Sequence, residues 1–426
     1  MTIDRRMLLA TGAGLGLAGL SSQSAAATGP RQQRTVGDQA VRVVALDSAR
    51  KNSQTKKIQT AIDAAAAAGF GVVHLPPGEF RSGPLELRNG TKLIGASGAT
   101  TLVATSGAPL IRAVHARDIE ISGLVIDAAN IARHGIELEG CSGVISDCAV
   151  YDARETGIFA RDSIGVRISQ NLVATCGNNG IQVWRTSPGR DASQVTSNRV
   201  EQIRADAGGT GQNGNGINIY RADDVLVSNN HIADCAYSAV RGNAASNLQV
   251  LGNSCSNLGE VAIYAEFGFE GALISQNLID GAATGIAVTN FNEGGRLAVV
   301  QGNLVRNCRK RHHEPVDKRG DGITVEADTC VANNVIENVE SRGVLIGWGP
   351  YMREVLATGN VVRTAKIGIA ITTDPAAGSC LVSNNMISGA KVGAIRGMQH
   401  GNIIGSELSD QETKTARVRI TGNMAV

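Results

Sequence analysis

The sequence predicts an all-β solenoid, and three observations carry that expectation. A small residue followed by a branched aliphatic recurs at a period near 23 residues, and a second phrase ending in Asn interleaves with it. The third is composition: 52 Gly stand against only 2 Trp, 5 Tyr and 6 Phe. Such a chain turns often and builds its interior from aliphatic side chains, which disfavours long helical bundles.

The 426-residue chain opens with Asp4-Arg5-Arg6-Met7-Leu8-Leu9, an apolar Gly/Ala/Leu stretch to Leu20, and the small residues Ala25-Ala26-Ala27. That order reads as an export signal over residues 1–27, cut near Ala27, and not as a membrane span. The paired arginines resemble the twin-arginine signal, whose machinery carries folded proteins, and an ordinary secretory signal is the alternative. Either signal sends the mature chain to the periplasm or beyond, with no transmembrane segment in it. A net charge of +2 gives no electrostatic case for nucleic acid as a partner. The eight cysteines are scattered without a CxxC pair and read as buried apolar thiols.

Next in order, Ile58, Ala61, Ile62 and Ala65 share one helical face, with Gly69 placed just past the helix end. Pro76-Pro77-Gly78 punctuates the strand that follows. These residues and the first rungs occupy 28–115, and the repeats with a C-terminal cap occupy 116–426.

The first phrase begins at Gly135-Ile136, Gly157-Ile158, Gly180-Ile181, Gly216-Ile217, Ala239-Val240, Ala262-Ile263, Gly285-Ile286, Gly322-Ile323, Gly343-Val344, Gly368-Ile369 and Gly393-Ala394. The second ends at Asn171, Asn198, Asn230, Asn253, Asn277, Asn303, Asn334, Asn360 and Asn385. Asn tolerates left-handed backbone angles, and its amide can bond the equivalent Asn one coil away. One rung is therefore strand, Asn turn, strand, turn, strand.

These repeats, with the helix and the Leu75-Pro76-Pro77-Gly78-Glu79-Phe80 strand, resemble the right-handed parallel β-helix of the pectate-lyase-like superfamily. The helix would cap the open end of the coil. With the twin-arginine-like signal, the chain also resembles a family of twin-arginine-translocated β-helix repeat proteins whose function is unassigned. The superfamily resemblance implies polysaccharide as partner, through a lyase, an epimerase or a glycoside hydrolase. It admits calcium as a cofactor by analogy alone, and the sequence leaves the cofactor otherwise open.

Counting the small residue as zero, positions +1 and +3 point inward and +2 and +4 outward. The outward columns gather Trp184, Asn218, Tyr220, Asn243 and Tyr264, which suit sugar stacking and hydroxyl bonding, together with Arg241, Glu266 and Glu326. Two rungs are long, with 36 and 37 residues between phrases, and both insertions emerge between the Asn and the outward strand. Four rungs separate them, about 19 Å, so they are expected to wall a cleft.

Proton abstraction beside a uronate carboxylate would use Arg241 as the cation and His312 or His313 as the base. Hydrolysis would use Glu266 and Glu326, two rungs or about 9.6 Å apart. His312-His313-Glu314 with Asp317 and Asp321 matches no strong zinc spacing and reads as a solvated loop, so no metal ligand is assigned. The Gly-His-Gly, Asn-Thr-Asp and Asp-Pro-His-Asp signatures of catalytic relatives are missing, so no catalytic residue is carried over from them. A glycan-binding or envelope scaffold without catalysis is the competing reading.

Overall fold

The computed structural model describes residues 40–46, 52–311, 320–409 and 417–426. The signal over 1–27 and the pair His312 and His313 lie outside the described residues. The described chain winds into a parallel β-solenoid of about 13 turns with one α-helix near its start. Among the described residues no helix is long and apolar enough to cross a membrane.

Helix α1 (Thr55–Ala67) buries Ile58, Ile62 and Ala65, the face expected from their spacing. Gly69 follows at φ +91, a left-handed angle that an L side chain rarely adopts. The helix is tied to the rung beneath it by Gln59, whose amide donates to the Glu86 carbonyl at 3.0 Å and accepts from the Glu86 N–H at 2.9 Å. A helix over the end of the coil shields an edge that would otherwise invite pairing with another chain.

The strands stack in register. Ile136 lies opposite Ile158, then Ile181, Ile217, Val240, Ile263, Ile286, Ile323, Val344 and Ile369 in succession. All of this column is buried, as alternation along a strand requires. The small residue before each aliphatic is there for space. A Cβ added at Gly180 would come within 2.4 Å of Val200 and 2.6 Å of the Gly216 carbonyl. The last phrase departs from expectation: an irregularity between Ala365 and Ile367 shifts the pairing, and Ile395, not Ala394, lies opposite Ile369.

The Asn side chains form a continuous ladder. Each Nδ2 from Asn171 to Asn385 donates to the Oδ1 of the next Asn at 2.9–3.0 Å, and the run ends on Asn423, which the repeat reading omitted. The left-handed backbone falls elsewhere than expected. It belongs to the preceding residue, as at Gln170, Ser197, Asn229 and Gln276. That residue makes the turn, so the Asn side chain can point into the coil.

All eight cysteines are free, and all but Cys330 are buried. Burial pushes the Cys176, Cys255 and Cys308 thiols up to about 12, so they remain protonated packing groups.

Candidate active site

The outward columns also stack in register, Arg241 opposite Tyr264 and Asn243 opposite Glu266. Ala265 lies opposite Val288 and Val288 opposite Val325, so Glu266, which ends its strand, and Glu326, which follows its own, stand two rungs apart with Thr289 between. A cavity of about 580 Å³ opens over this face, lined by Arg241, Tyr264, Glu266, Glu326, Thr289 and Trp348 among others. Its volume lies within the range of small-molecule sites.

Gly209 and Thr210 of the first insertion form one wall, as the position of the insertion suggested. The insertion is clamped to the sheet: Tyr237 Oη donates to the Gly209 carbonyl at 2.9 Å and Asn215 Nδ2 to the Gly211 carbonyl at 2.9 Å. Gly211 has φ +115, and a Cβ there would overlap the Arg241 guanidinium, so only glycine lets the loop close over that side chain. The opposite wall carries Asn290 and Asn292, and Trp348 and Tyr351 stand at the far end. The central residues of the second insertion are outside the described part.

Within the cavity the charges are paired unevenly. Arg241 Nε donates to Glu266 Oε1 at 2.7 Å, and Nη1 donates to Glu260 Oε2 at 3.1 Å. Arg241 is only 6% exposed. Burial pushes its pKa down, but the Glu266 and Glu260 carboxylates outweigh this and hold it above the ordinary value. Its positive charge is thus flanked by two carboxylates, which removes it as a free cation for an enolate. Asn243 Nδ2 adds a second donor to Glu266 Oε1 at 2.8 Å.

Glu326 has no arginine against it among the described residues. Its Oε2 accepts the Phe291 N–H at 2.7 Å, yet burial dominates and raises its pKa to about 7. One carboxyl poised to carry a proton near neutrality faces the same cavity as another that accepts hydrogen bonds from an arginine and an amide. Environments that differ in this way separate an acid from a base.

The other sequence-derived candidates divide. Tyr264 lines the cavity beneath Arg241, whose Cζ lies 5.2 Å from the ring centroid. Asn218 is not free for a sugar: its Nδ2 donates to the Gln212 carbonyl at 3.2 Å and anchors the first insertion. Asn243 positions Glu266 instead of lining the cavity. Trp184 and Tyr220 lie opposite each other on neighbouring rungs and stack at 6.0 Å, outside the acidic cavity. The sequence reading missed Glu260 and Tyr237. Both stand two positions before the small residue of their rung, a column that reads Arg133, Glu155, Asn178, Gly214, Tyr237 and Glu260. Its polarity was the available signal.

Among the described residues no group of three or more His, Cys, Asp or Glu is placed to hold a metal ion.

The right-handed β-helix region family matches this chain over residues 114–200, 134–295 and 189–362. The chain belongs to the right-handed β-helix family. A search of curated proteins finds no significant match. Among solved structures, the N-terminal fragment of bacteriophage Phi29 gene product 12 is similar to this β-helix at a TM-score of 0.60 and 13% identity, covering 88% of this chain and 69% of that one. The catalytic unit of the thermostable GH87 alpha-1,3-glucanase of Streptomyces thermodiastaticus gives 0.55 at 17% identity, covering 92% and 69%. PfbA, a surface adhesin of Streptococcus pneumoniae, gives 0.52 at 15%, covering 82% and 88%. These identities establish a shared fold, and that fold serves an enzyme and an adhesin alike.

Proposed function

We propose that this β-helix protein is exported and hydrolyses a polysaccharide by inversion. The observation that carries the reading is the pairing of Glu326, protonated up to about pH 7, with Glu266 across one cavity. Glu326 donates its proton to the glycosidic oxygen as the bond to the anomeric carbon breaks. A water attacks that carbon from the opposite face and gives its proton to the Glu266 carboxylate, which Arg241 and Asn243 hold in place. Two rung spacings put the backbones about 9.6 Å apart, close to the separation that leaves room for the water.

The test is a panel of neutral and uronate-containing polysaccharides, read by reducing ends and by the ultraviolet absorbance of unsaturated uronates. Reducing ends alone are expected, from a product of inverted anomeric configuration, and Glu266→Gln is expected to lower the rate by about 10³-fold. Unsaturated product would replace hydrolysis by β-elimination. The aromatic run Phe159, Trp184 and Tyr220 favours a second reading, glycan binding without cleavage. Silence in both assays with retained binding would select it.

Export rests on the Arg5-Arg6 signal alone. Cell fractionation is expected to find a processed chain outside the cytoplasm, and Arg5→Lys with Arg6→Lys is expected to retain the precursor inside. Wild-type chain found unprocessed in the cytoplasm would end that part of the proposal.

A further inference from the structure

The first insertion divides the outward face into two cavities. Gly209 and Thr210 line the acidic one, while Asn213 of the same loop lines another of about 300 Å³ toward the N-terminus. The floor of this second cavity is aromatic: His134, Phe159 and Trp184 stand on successive rungs, with ring centroids 5.0 and 6.1 Å apart. Its rim carries amides, Gln182 and Asn178 among them, beside charged groups. An aromatic ladder serving only stability would need neither a concavity nor such a rim.

The charges around it identify the chemistry of the occupant. Arg133 pairs with Glu137 at 3.4 Å and Arg161 with Glu139 at 2.8 Å, so each cationic charge on the lining is offset by an adjacent carboxylate. Burial, reinforced by the neighbouring Arg133, lowers the His134 pKa to about 3, so the imidazole is neutral at any physiological pH. The remaining rim charge is Glu155, which stands beside that neutral imidazole at 3.9 Å. A carboxylate there accepts sugar hydroxyls and repels a uronate.

We infer that the His134–Phe159–Trp184 cavity is a second, noncatalytic glycan site that takes neutral hexose units. It does not rest on cleavage in the acidic cavity. The two sites share one sheet face and lie on either side of the first insertion.

The two tryptophans of the chain allow the sites to be read separately, since Trp184 belongs to this cavity and Trp348 to the acidic one. In the full chain, Trp348→Phe leaves Trp184 as sole reporter and Trp184→Phe leaves Trp348. Each protein is titrated with maltohexaose, laminarihexaose, cellohexaose and mannohexaose, with hexagalacturonate as the charged comparison, following tryptophan emission. A saturable change is expected in the Trp348→Phe protein with at least one neutral hexaose and none with hexagalacturonate. Adding Gln182→Ala to that protein is expected to weaken binding about tenfold, the worth of one hydrogen bond, with its thermal midpoint unmoved. No saturable change in the Trp348→Phe protein with any neutral hexaose, or tighter binding of hexagalacturonate, would overturn the inference. A response there without reducing ends in the wild-type assay would leave this site standing and remove hydrolysis.

Discussion

Glu326→Gln is expected to reduce polysaccharide hydrolysis by about 10³-fold, the usual contribution of a general acid, while stabilising the protein at alkaline pH. Both effects come from one fact, the burial that raises this carboxyl to about 7. As the acid, Glu326 must be protonated, so wild-type activity is expected to fall as pH rises through about 7, and the residual activity of the variant is expected to lose that limb. For stability, a folded pKa above the ordinary value of 4.5 means that the folded chain binds more protons than the unfolded chain between about 4.5 and 7. Wild-type stability therefore declines as pH rises through that window. At 1.36 kcal/mol per pKa unit the total reaches about 3 kcal/mol. Glutamine keeps an oxygen for the Phe291 N–H and carries no charge at any pH. Denaturant unfolding of both proteins at pH 5 and pH 8 checks the sign: the variant should gain on wild type at pH 8 and much less at pH 5. An advantage independent of pH would show that Glu326 is not the buried acid.

Asn253→Ala is expected to destabilise the fold by about 4 kcal/mol, several times the effect of an ordinary surface change. Asn253 sits in the interior of the ladder and is 1% exposed. Its Oδ1 accepts both the Asn230 N–H at 3.0 Å and the Asn230 Nδ2 at 2.9 Å, and its Nδ2 donates to Asn277 Oδ1 at 3.0 Å and the Val227 carbonyl at 3.1 Å. Alanine leaves these buried partners on both neighbouring rungs without water to replace the lost amide, and each orphan costs about 1–3 kcal/mol. The comparison is Asn229→Ala, at the exposed residue that carries the left-handed angle of φ 56 in the preceding repeat, just before Asn230. There the loss is backbone strain of about 1–2 kcal/mol. Urea midpoints for the two variants rank the roles. A smaller loss at Asn253 than at Asn229 would mean that turn geometry, and not the amide ladder, holds the rungs together.

Much of this architecture was legible because a parallel stack in register turns a period along the chain into a column in space. Ile136 through Ile369 could be read as one buried column, and Arg241, Tyr264, Glu266 and Glu326 as neighbours on one face, before any coordinate was known. The place of the first insertion was legible for the same reason: extra residues between Asn198 and Gly216 have to leave the coil at that corner. Asn423 and the shifted pairing at Ile395 were not, because each lies where the period loosens toward the end of the repeats.

The sequence by itself determined the coil, its capping helix, the Asn ladder and the side of the sheet on which polar chemistry gathers. All of these depend on alternation and period, which are local properties summed over many rungs. The tertiary structure decided what that chemistry is. Folding the first insertion over the sheet buried Arg241 between Glu260 and Glu266, drew Asn218 into anchoring the loop, and separated Trp184 from the acidic cavity. Packing of the 290–292 wall against Glu326 helped to bury the carboxyl whose pKa that burial raises. Partners and desolvation depend on how nonperiodic loops close over a periodic face, and no repeat along the chain encodes that closure.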